Sequence, residues 1–268
     1  MPAKKILITG VYGLIGSTTY LSLRNHPERY DLYGLDIHRQ LSERAPQDRI
    51  VDLPEDRFYQ ADLTDFDTIR KAVTGKEVVV HLAADPEGRS WESLLNNNLI
   101  GAYHMFEACK QAGVRRIVFA STYLVTQGYA EGEPYRSIVR GNFDAIPSTY
   151  TRLTPDQTSR PRDLYSASKV FNESLAQVYQ SDTFSCIGIR ICGVRNQPDG
   201  RGDVWVSLRD LVQMITCCID APPELRYDLF YALSNNRWGW VDIENARRKV
   251  GYAPQDSAED YEEGERSV

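Results

Sequence analysis

The chain has 268 residues with 31 Lys and Arg against 37 Asp and Glu, a formal net charge of −6, and 42% hydrophobic residues. Such a composition suits a globular protein with one full-sized core, and an acidic balance without a basic cluster argues against a nucleic-acid surface. No apolar run approaches the roughly 20 residues that span a bilayer. A strand begins within a few residues of Met1, and the five cysteines have neither disulfide nor zinc spacing, so the expectation is a cytoplasmic protein with reduced thiols, no signal peptide, no membrane contact and no metal site.

Strand-like and helix-like stretches alternate, which predicts an α/β fold, a doubly wound parallel sheet of Rossmann type. Ile6-Leu7-Ile8-Thr9 is a short β-branched run of the kind buried on both faces. Gly10, Gly13 and Gly16 follow at three-residue spacing, and Leu14 to Leu23 carries apolar residues at helical spacing. Strand, glycine turn and helix form the first unit of a dinucleotide-binding sheet. Free N–H groups at the helix amino end receive a pyrophosphate, and a Cβ at any of the three glycines would hold the phosphates off or push helix from strand. Asp31 to Asp36 reads as a second strand ending in an acid. Asp36 lies twenty residues beyond Gly16, where a ribose-binding carboxylate is expected. A carboxylate there accepts from both ribose hydroxyls and repels a 2′-phosphate, favouring NAD over NADP; His38 and Arg39 soften that preference.

Arg57 to Gln60 predicts a third strand. Asp62 after it suits either an adenine amino group or a helix cap, a place Thr64 or Asp65 would fill equally well. Glu77 to Ala84 is a fourth buried strand, and Ala83-Ala84 at its carboxyl end leave room for a flat ligand at the edge where such sheets bind. Trp91 to Ala112 predicts a long helix. Asn98 falls on its apolar stripe, where the amide either braces the backbone or holds a water beside the site. Arg115 to Ala120 is a fifth strand with Ser121-Thr122 at its end. Residues 127–162, rich in Pro, Gly, Ser, Thr and Tyr, are expected to be an irregular rim. A helix over Asp163 to Gln180, a sixth strand over Ser185 to Ile191, and turns over 193–205 follow. A helix over Ser207 to Ala221, a strand over Asp228 to Ala232 and a short helix over Asp242 to Val250 complete the pattern. The acidic tail from Ser257 to Val268 is expected to be mobile. One domain over 1–268 is predicted, with substrate-binding portions mainly at 123–162 and 193–256 and a small carboxyl-terminal annex.

Tyr165 and Lys169 are four apart on a predicted helix and share a face. A fixed ammonium beside a phenol favours the phenolate and lowers its pKa, and such a tyrosine takes a proton from a substrate hydroxyl. A hydroxyl from Thr122 would stabilise charge on the same oxygen. Alone, such a spacing is common by chance, and without the preceding glycine turn it would read as a surface helix pair.

Thr9-Gly10-x-x-Gly13-x-x-Gly16, Asp36, Asp62-Leu63, His81-Leu82-Ala83-Ala84, Asn98-x-x-Gly101, Ser121-Thr122 and Tyr165-x-x-x-Lys169 stand in the order seen in the extended short-chain dehydrogenase/reductases, the NAD-dependent epimerase/dehydratase family, which this chain resembles over nearly its whole length. The resemblance implies Tyr165 as acid/base, Lys169 as its partner, and Thr122 and Asn98 in the remaining catalytic positions. It implies a cofactor site of Gly10, Tyr12, Gly13, Leu14, Ile15, Gly16 and Asp36 around the pyrophosphate and ribose. Asp62 and Leu63 would lie at the adenine, and Leu82, Ala83, Ala84, Ala120, Tyr165, Lys169 and Ile191 along the rest. Two short members, uronate dehydrogenase and the archaeal NAD-dependent glucose-6-phosphate dehydrogenase, are most similar, through Asp85-Pro86, Trp91-Glu92-Ser93 and Trp205-Val206-Ser207 among other stretches.

Those enzymes oxidise a sugar at C1 to a lactone, so the resemblance implies a small-molecule sugar substrate held by Asp85, Thr122, Tyr123, Tyr165 and Arg201. Arg201 reads equally as an anion contact or a solvated loop arginine. The chain departs from these relatives at Tyr123-Leu124, where they carry Asn-His in the substrate pocket, so its substrate half carries over less than its cofactor half. An epimerase or dehydratase of the same fold is one alternative, opposed by the short remainder after Ile191. A non-catalytic NAD(P)-sensing protein is another, opposed by the retained tyrosine and lysine. The resemblance also implies a homodimer through the helices at 91–112 and 163–180, whose apolar faces would equally serve the sheet.

Overall fold

The computed structural model describes residues 2–195, 197–198 and 203–261. Seven parallel strands form one sheet in the order β3-β2-β1-β4-β5-β6-β9. They are β1 (Lys4–Thr9), β2 (Tyr30–Asp36), β3 (Phe58–Gln60), β4 (Val78–His81), β5 (Arg116–Thr122), β6 (Ser185–Ile191) and β9 (Tyr227–Ala232). The order reverses between β1 and β4, and the crevice at such a reversal is where open α/β sheets bind ligands.

Alternation along the strands divides the core. Ile6 and Ile8 of β1 face one side with Val80, Val118 and Ile189, while Leu7 faces the other with Val79, Ile117 and Phe119. A strand buried on both faces reads as a continuous apolar run for this reason. Helices α1 (Leu14–Leu23) and α7 (Leu208–Ile219) pack together on the first side. On the second, α4 (Gly101–Gln111) packs between α2 (Phe66–Val73) and α6 (Leu164–Tyr179). A one-turn helix, α3 (Trp91–Ser93), runs into α4 through a π-wound stretch, Leu94–Ile100. Among the described residues no helix is long and apolar enough to cross a membrane.

Several expectations are corrected. β4 ends at His81 rather than Ala84, because the Leu82 and Ala83 N–H groups turn to the Thr9 hydroxyl. The rim after β5 is mostly short helical turns, a 3₁₀ stretch at Tyr123–Glu131, α5 (Tyr135–Val139) and a 3₁₀ turn at Phe143–Ala145. The turn-rich stretch after β6 holds a two-residue strand pair, β7 (Gly193–Val194) with β8 (Trp205–Val206). Rim and carboxyl-terminal annex join where Leu153 exchanges hydrogen bonds with Trp240 and Asp242, each 2.8 Å. After β9 the chain forms α8 (Glu244–Val250). The stretch beyond is docked rather than mobile as far as Tyr261: the buried Asp210 carboxylate accepts from the Gln255 and Asp256 N–H groups, and Tyr261 packs edge-on to Trp205 at 5.3 Å. The rest of the tail lies outside the described residues.

Candidate functional site

The glycine turn is shaped by backbone approach. Gly10 has φ +67°, and a Cβ there would stand 3.0 Å from the Ala83 nitrogen across the crevice. A Cβ at Gly16 would stand 2.0 Å from the Gly10 carbonyl oxygen, which fixes glycine there for helix-on-strand packing. At Gly13 the corresponding distance is 3.1 Å. Gly13 is the N-cap of α1, no side chain caps that end and no acid lies in the first turn. The first N–H groups of α1 therefore stay available to an anion. Leu14 and Ile15 are half-buried beside them.

Asp36 closes the far side of the turn. Its two carboxylate oxygens accept from the Tyr12 and Ile37 N–H groups, both at 2.8 Å. Burial raises its carboxyl, and these donors pull it back down only in part. The Tyr12 ring is buried edge-on against Phe58 at 5.6 Å, so Tyr12 contributes through its backbone. Asp62 accepts from both the N–H and the hydroxyl of Thr64, and Asp65 is the N-cap of α2. Leu63 is buried against Gly101, where a Cβ would meet it at 2.6 Å.

At the crevice, Thr9 Oγ1 accepts from the Leu82 and Ala83 N–H groups, each at 3.1 Å, and lies 2.9 Å from His81 Nδ1. With both lone pairs taken, the Thr9 proton points at Nδ1, so the His81 proton sits on Nε2. Burial drives His81 down to about 3, with the Lys169 cation acting in the same direction, and the ring is neutral. Leu82, Ala83 and Ala84 are half-buried along the crevice, as is Ala120 near the end of β5; Ile191 is buried at the end of β6.

Helix α6 carries the chemistry. Asp163 caps it in a capping box with Ser166, which fixes its first turn and hence Tyr165. The Lys169 ammonium lies 5.7 Å from the centre of the Tyr165 ring. Lys169 is 3% exposed and makes no hydrogen bond or ion pair with a described residue; burial lowers it to about 8. The Tyr165 phenol moves opposite to expectation. Burial raises it to about 12, Arg44 lowers it, and Asp163 and Asp85 raise it further. Thr122, buried at the end of β5, accepts from the Leu124 N–H at 3.3 Å.

One turn beyond Lys169 lies a network that the sequence reading missed. Glu173 accepts from Arg190 twice, each at 2.9 Å, and from the Ser121 hydroxyl at 2.6 Å. Arg190 also donates to the Tyr231 hydroxyl at 3.0 Å, and that hydroxyl lies 3.0 Å from Thr126. All five residues are buried. The network fixes the register of α6 on β5, β6 and β9, and it stands next in sequence to Thr122 and Ile191. The available signal was the four-residue repeat of Tyr165, Lys169 and Glu173, since an acid on a buried stripe requires a partner.

The Asn98 amide is engaged with backbone. Its Oδ1 accepts from the Asp85 N–H at 2.8 Å, and its Nδ2 donates to the Asp85 carbonyl and to Ser168 Oγ, both at 3.1 Å. Asn172, its amide oriented as its neighbours require, donates to the Asn98 carbonyl at 2.9 Å. Asp85 is 2% exposed and accepts from the Glu87, Gly88 and Arg89 N–H groups and from Ser93 Oγ at 2.6 Å. Burial opposes its charge, but these donors hold the carboxyl below the usual range. The loop they close lies against Tyr165, 3.4 Å from where a Gly88 Cβ would sit.

A cavity of ≈ 150 Å³ lies beside the ends of β5 and β6, walled by Tyr123, Gln127, Arg195, Asp203, Trp205 and Trp240 among others. It is built from both the 123–162 and the 193–256 stretches. Trp240 Nε1 donates to Asp203 at 3.2 Å, and Tyr123 packs edge-on to Trp240 at 6.2 Å. Of these residues only Tyr123 was expected at the substrate from the sequence, because the others meet it only through folding. Arg201 lies outside the described residues.

The model of the NAD dependent epimerase/dehydratase family matches residues 6–202. The chain is 32% identical to NAD-dependent glucose-6-phosphate dehydrogenase of Haloferax volcanii, over 96% of this chain and 95% of that protein. It is 28% identical to uronate dehydrogenase of Pseudomonas syringae, over 96% and 84% of the two chains. The crystal structure of uronate dehydrogenase from Agrobacterium tumefaciens superposes with a TM-score of 0.75 at 28% identity, covering 100% of this chain and 91% of that one. The glycine turn, the reversal in strand order and the tyrosine–lysine helix are thus those of the NAD dependent epimerase/dehydratase family, to which this chain belongs.

Proposed function

We propose that the protein is an NAD-dependent sugar dehydrogenase that oxidises a hexose, hexose phosphate or uronate at C1 to a lactone. The observation that carries this reading is Lys169, a buried ammonium with no ion pair among the described residues, beside the ring of Tyr165. A cation held so needs an oxygen-rich ligand. The uncapped α1 and the Cβ-free path between Gly10 and Gly16 fit a dinucleotide pyrophosphate. Asp36 would hold the adenosine ribose hydroxyls and Lys169 those of the nicotinamide ribose. NAD, when bound, accepts the hydride that leaves C1. Tyr165 takes the proton of the C1 hydroxyl, and Thr122 donates to the same oxygen and steadies its charge. The cavity walled by Tyr123 and Trp240 receives the remainder of the sugar.

A panel of aldoses, hexose phosphates and uronates tests this by NADH formation, with the lactone identified as product. Turnover on a member of the panel is expected. Cofactor that stays bound and oxidised against every sugar would overturn the reading.

The reading includes a homodimer. Leu164, Phe171 and Val178 recur every seven residues on α6 and are 59%, 39% and 76% exposed; Trp91 and Tyr103, on the neighbouring helical run, are exposed too. Light scattering is expected to give twice the chain mass, falling to a monomer in Phe171→Glu; a monomeric wild type would refute the dimer.

A further inference from the structure

Residues 37–54, within the segment joining β2 to β3, include four basic residues, His38, Arg39, Arg44 and Arg49. Two serve the fold. Arg39 donates to the Leu53 carbonyl and lies 5.6 Å over the Phe58 ring. Arg49 donates to the Leu14 carbonyl at 3.2 Å, to Ser17 at 3.1 Å and to Thr18 at 2.6 Å, strapping the segment along α1.

A third anchor reaches the glycine turn itself. The Ser42 N–H donates to the Tyr12 carbonyl at 2.9 Å. The Ala45 N–H returns to the Ser42 carbonyl at 2.9 Å, Gln47 donates to the Ser42 and Ala45 carbonyls, and Ala45 is buried. Arg44 rides on this fixed turn. It is exposed and makes no hydrogen bond or ion pair with a described residue. Its charge acts on Tyr165 across the cleft, whereas the cation that acts on Asp36 is His38. Arg44 thus stands on a turn tied to the glycine loop at Tyr12, near enough to Tyr165 for its charge to lower that phenol.

We propose that Arg44 pairs with the pyrophosphate of the dinucleotide from the side opposite the amino end of α1. The helix end offers backbone N–H groups to one edge of the phosphates, and a guanidinium on the facing turn offers paired donors to the other. A carboxylate or phosphate on the sugar presents the same chemistry, and the measurement separates the two.

Binding of NADH, ADP-ribose and adenosine is titrated with wild type, Arg44→Ala and Arg44→Lys. Arg44→Ala is expected to weaken NADH and ADP-ribose about tenfold, the size of one charge-assisted contact, and to leave adenosine, which has no phosphate, unchanged. Arg44→Lys should recover part of the loss. Unchanged ADP-ribose affinity in Arg44→Ala would overturn the proposal. A loss confined to the KM of anionic sugars, with NADH and ADP-ribose binding intact, would also overturn it and assign Arg44 to the substrate. Since ADP-ribose binding needs no turnover, the first result is independent of the sugar and of the proposed reaction.

Discussion

On the dinucleotide side of the cleft, the turn between β1 and α1 matters through its backbone, with Asp36 and Lys169 as the side chains beside it. Gly10 and Gly16 act by lacking a Cβ, Tyr12 through its N–H, and the start of α1 through N–H groups no side chain caps. On the side proposed for the sugar, the wall at Tyr123, Asp203, Trp205 and Trp240 is made of side chains brought from distant stretches and packed or bonded to one another. A backbone-built site tolerates few residues at a few close positions and is rigid. A side-chain-built site can be rebuilt by exchanging residues, which suits relatives named for sugars as different as glucose 6-phosphate and uronate.

Tyr165 stands at the border, and its removal gives the largest effect. Tyr165→Phe is expected to reduce kcat roughly a thousandfold while NADH affinity, measured by fluorescence titration, stays within about twofold of wild type, because the dinucleotide side is backbone. Turnover by wild type should rise with pH up to about 8, as a phenol raised to about 12 offers more base at each step, and flatten above it, where Lys169 loses the charge that holds the ribose. Full activity in the variant would remove Tyr165 from the chemistry; loss of NADH binding would show that the two sides are not separable.

The Glu173–Arg190 pair lies under both sides and should damage both. Glu173→Gln leaves a buried guanidinium without its counter-charge, at a cost of about 3–5 kcal/mol read by urea unfolding. Exchanging both partners for apolar residues, Glu173→Met with Arg190→Met, should recover much of that stability. The double variant should nonetheless show a lower kcat with a shifted pH profile, as α6 loses its register on β5. Restored stability together with full activity would make the pair structural only.

How much could be read beforehand follows the same division. Gly10, Gly16, Asp36 and the Tyr165–Lys169 spacing are local patterns, and local patterns survive in sequence. The strands were legible because Ile6, Leu7 and Ile8 serve two cores in alternation. Trp240 reaches Tyr123, and Arg190 reaches Glu173, only through the tertiary fold, so no spacing announces them. The Tyr165 phenol was misjudged for a related reason: a four-residue spacing conveys that Lys169 is near the ring, but not that burial dominates and drives the phenol upward. The end of β4 was placed too late because the Thr9 side chain, from another strand, takes the N–H groups that would have continued the ladder.

Acid should distinguish the two sides. The His81 pKa is lowered from its ordinary value of 6.5 to about 3. Between those values the unfolded chain holds a proton that the folded chain does not, so stability is present above 6.5 and is lost as pH falls toward 3. At pH 5 the loss is about 2 kcal/mol relative to pH 7 at about 1.4 kcal/mol per unit. Protonation of Nδ1 also removes the acceptor for the Thr9 hydroxyl, which positions Ala83 across from Gly10. NADH affinity is expected to fall on acidification before the unfolding transition, and His81→Gln to flatten the acid limb of stability. An acid limb unchanged in that variant would place the titration elsewhere.

The smallest expected effect is the one confined to the sugar wall. Trp240→Phe keeps an aromatic ring against Tyr123 but deletes the indole N–H that donates to Asp203 at 3.2 Å. Asp203, only 7% exposed, is left with one donor fewer at the wall of the cavity. In the proposed site a carboxylate short of a donor takes one from a substrate hydroxyl, and so changes ground-state binding more than the barrier. KM for the sugar is therefore expected to change about fivefold, with kcat within about twofold of wild type and NADH affinity unaltered. A shift in NADH affinity as large as the shift in KM would mean that the side-chain wall and the backbone cradle are one coupled site, and exchange of the sugar would then carry a cost at the cofactor that the separation of the two sides forbids.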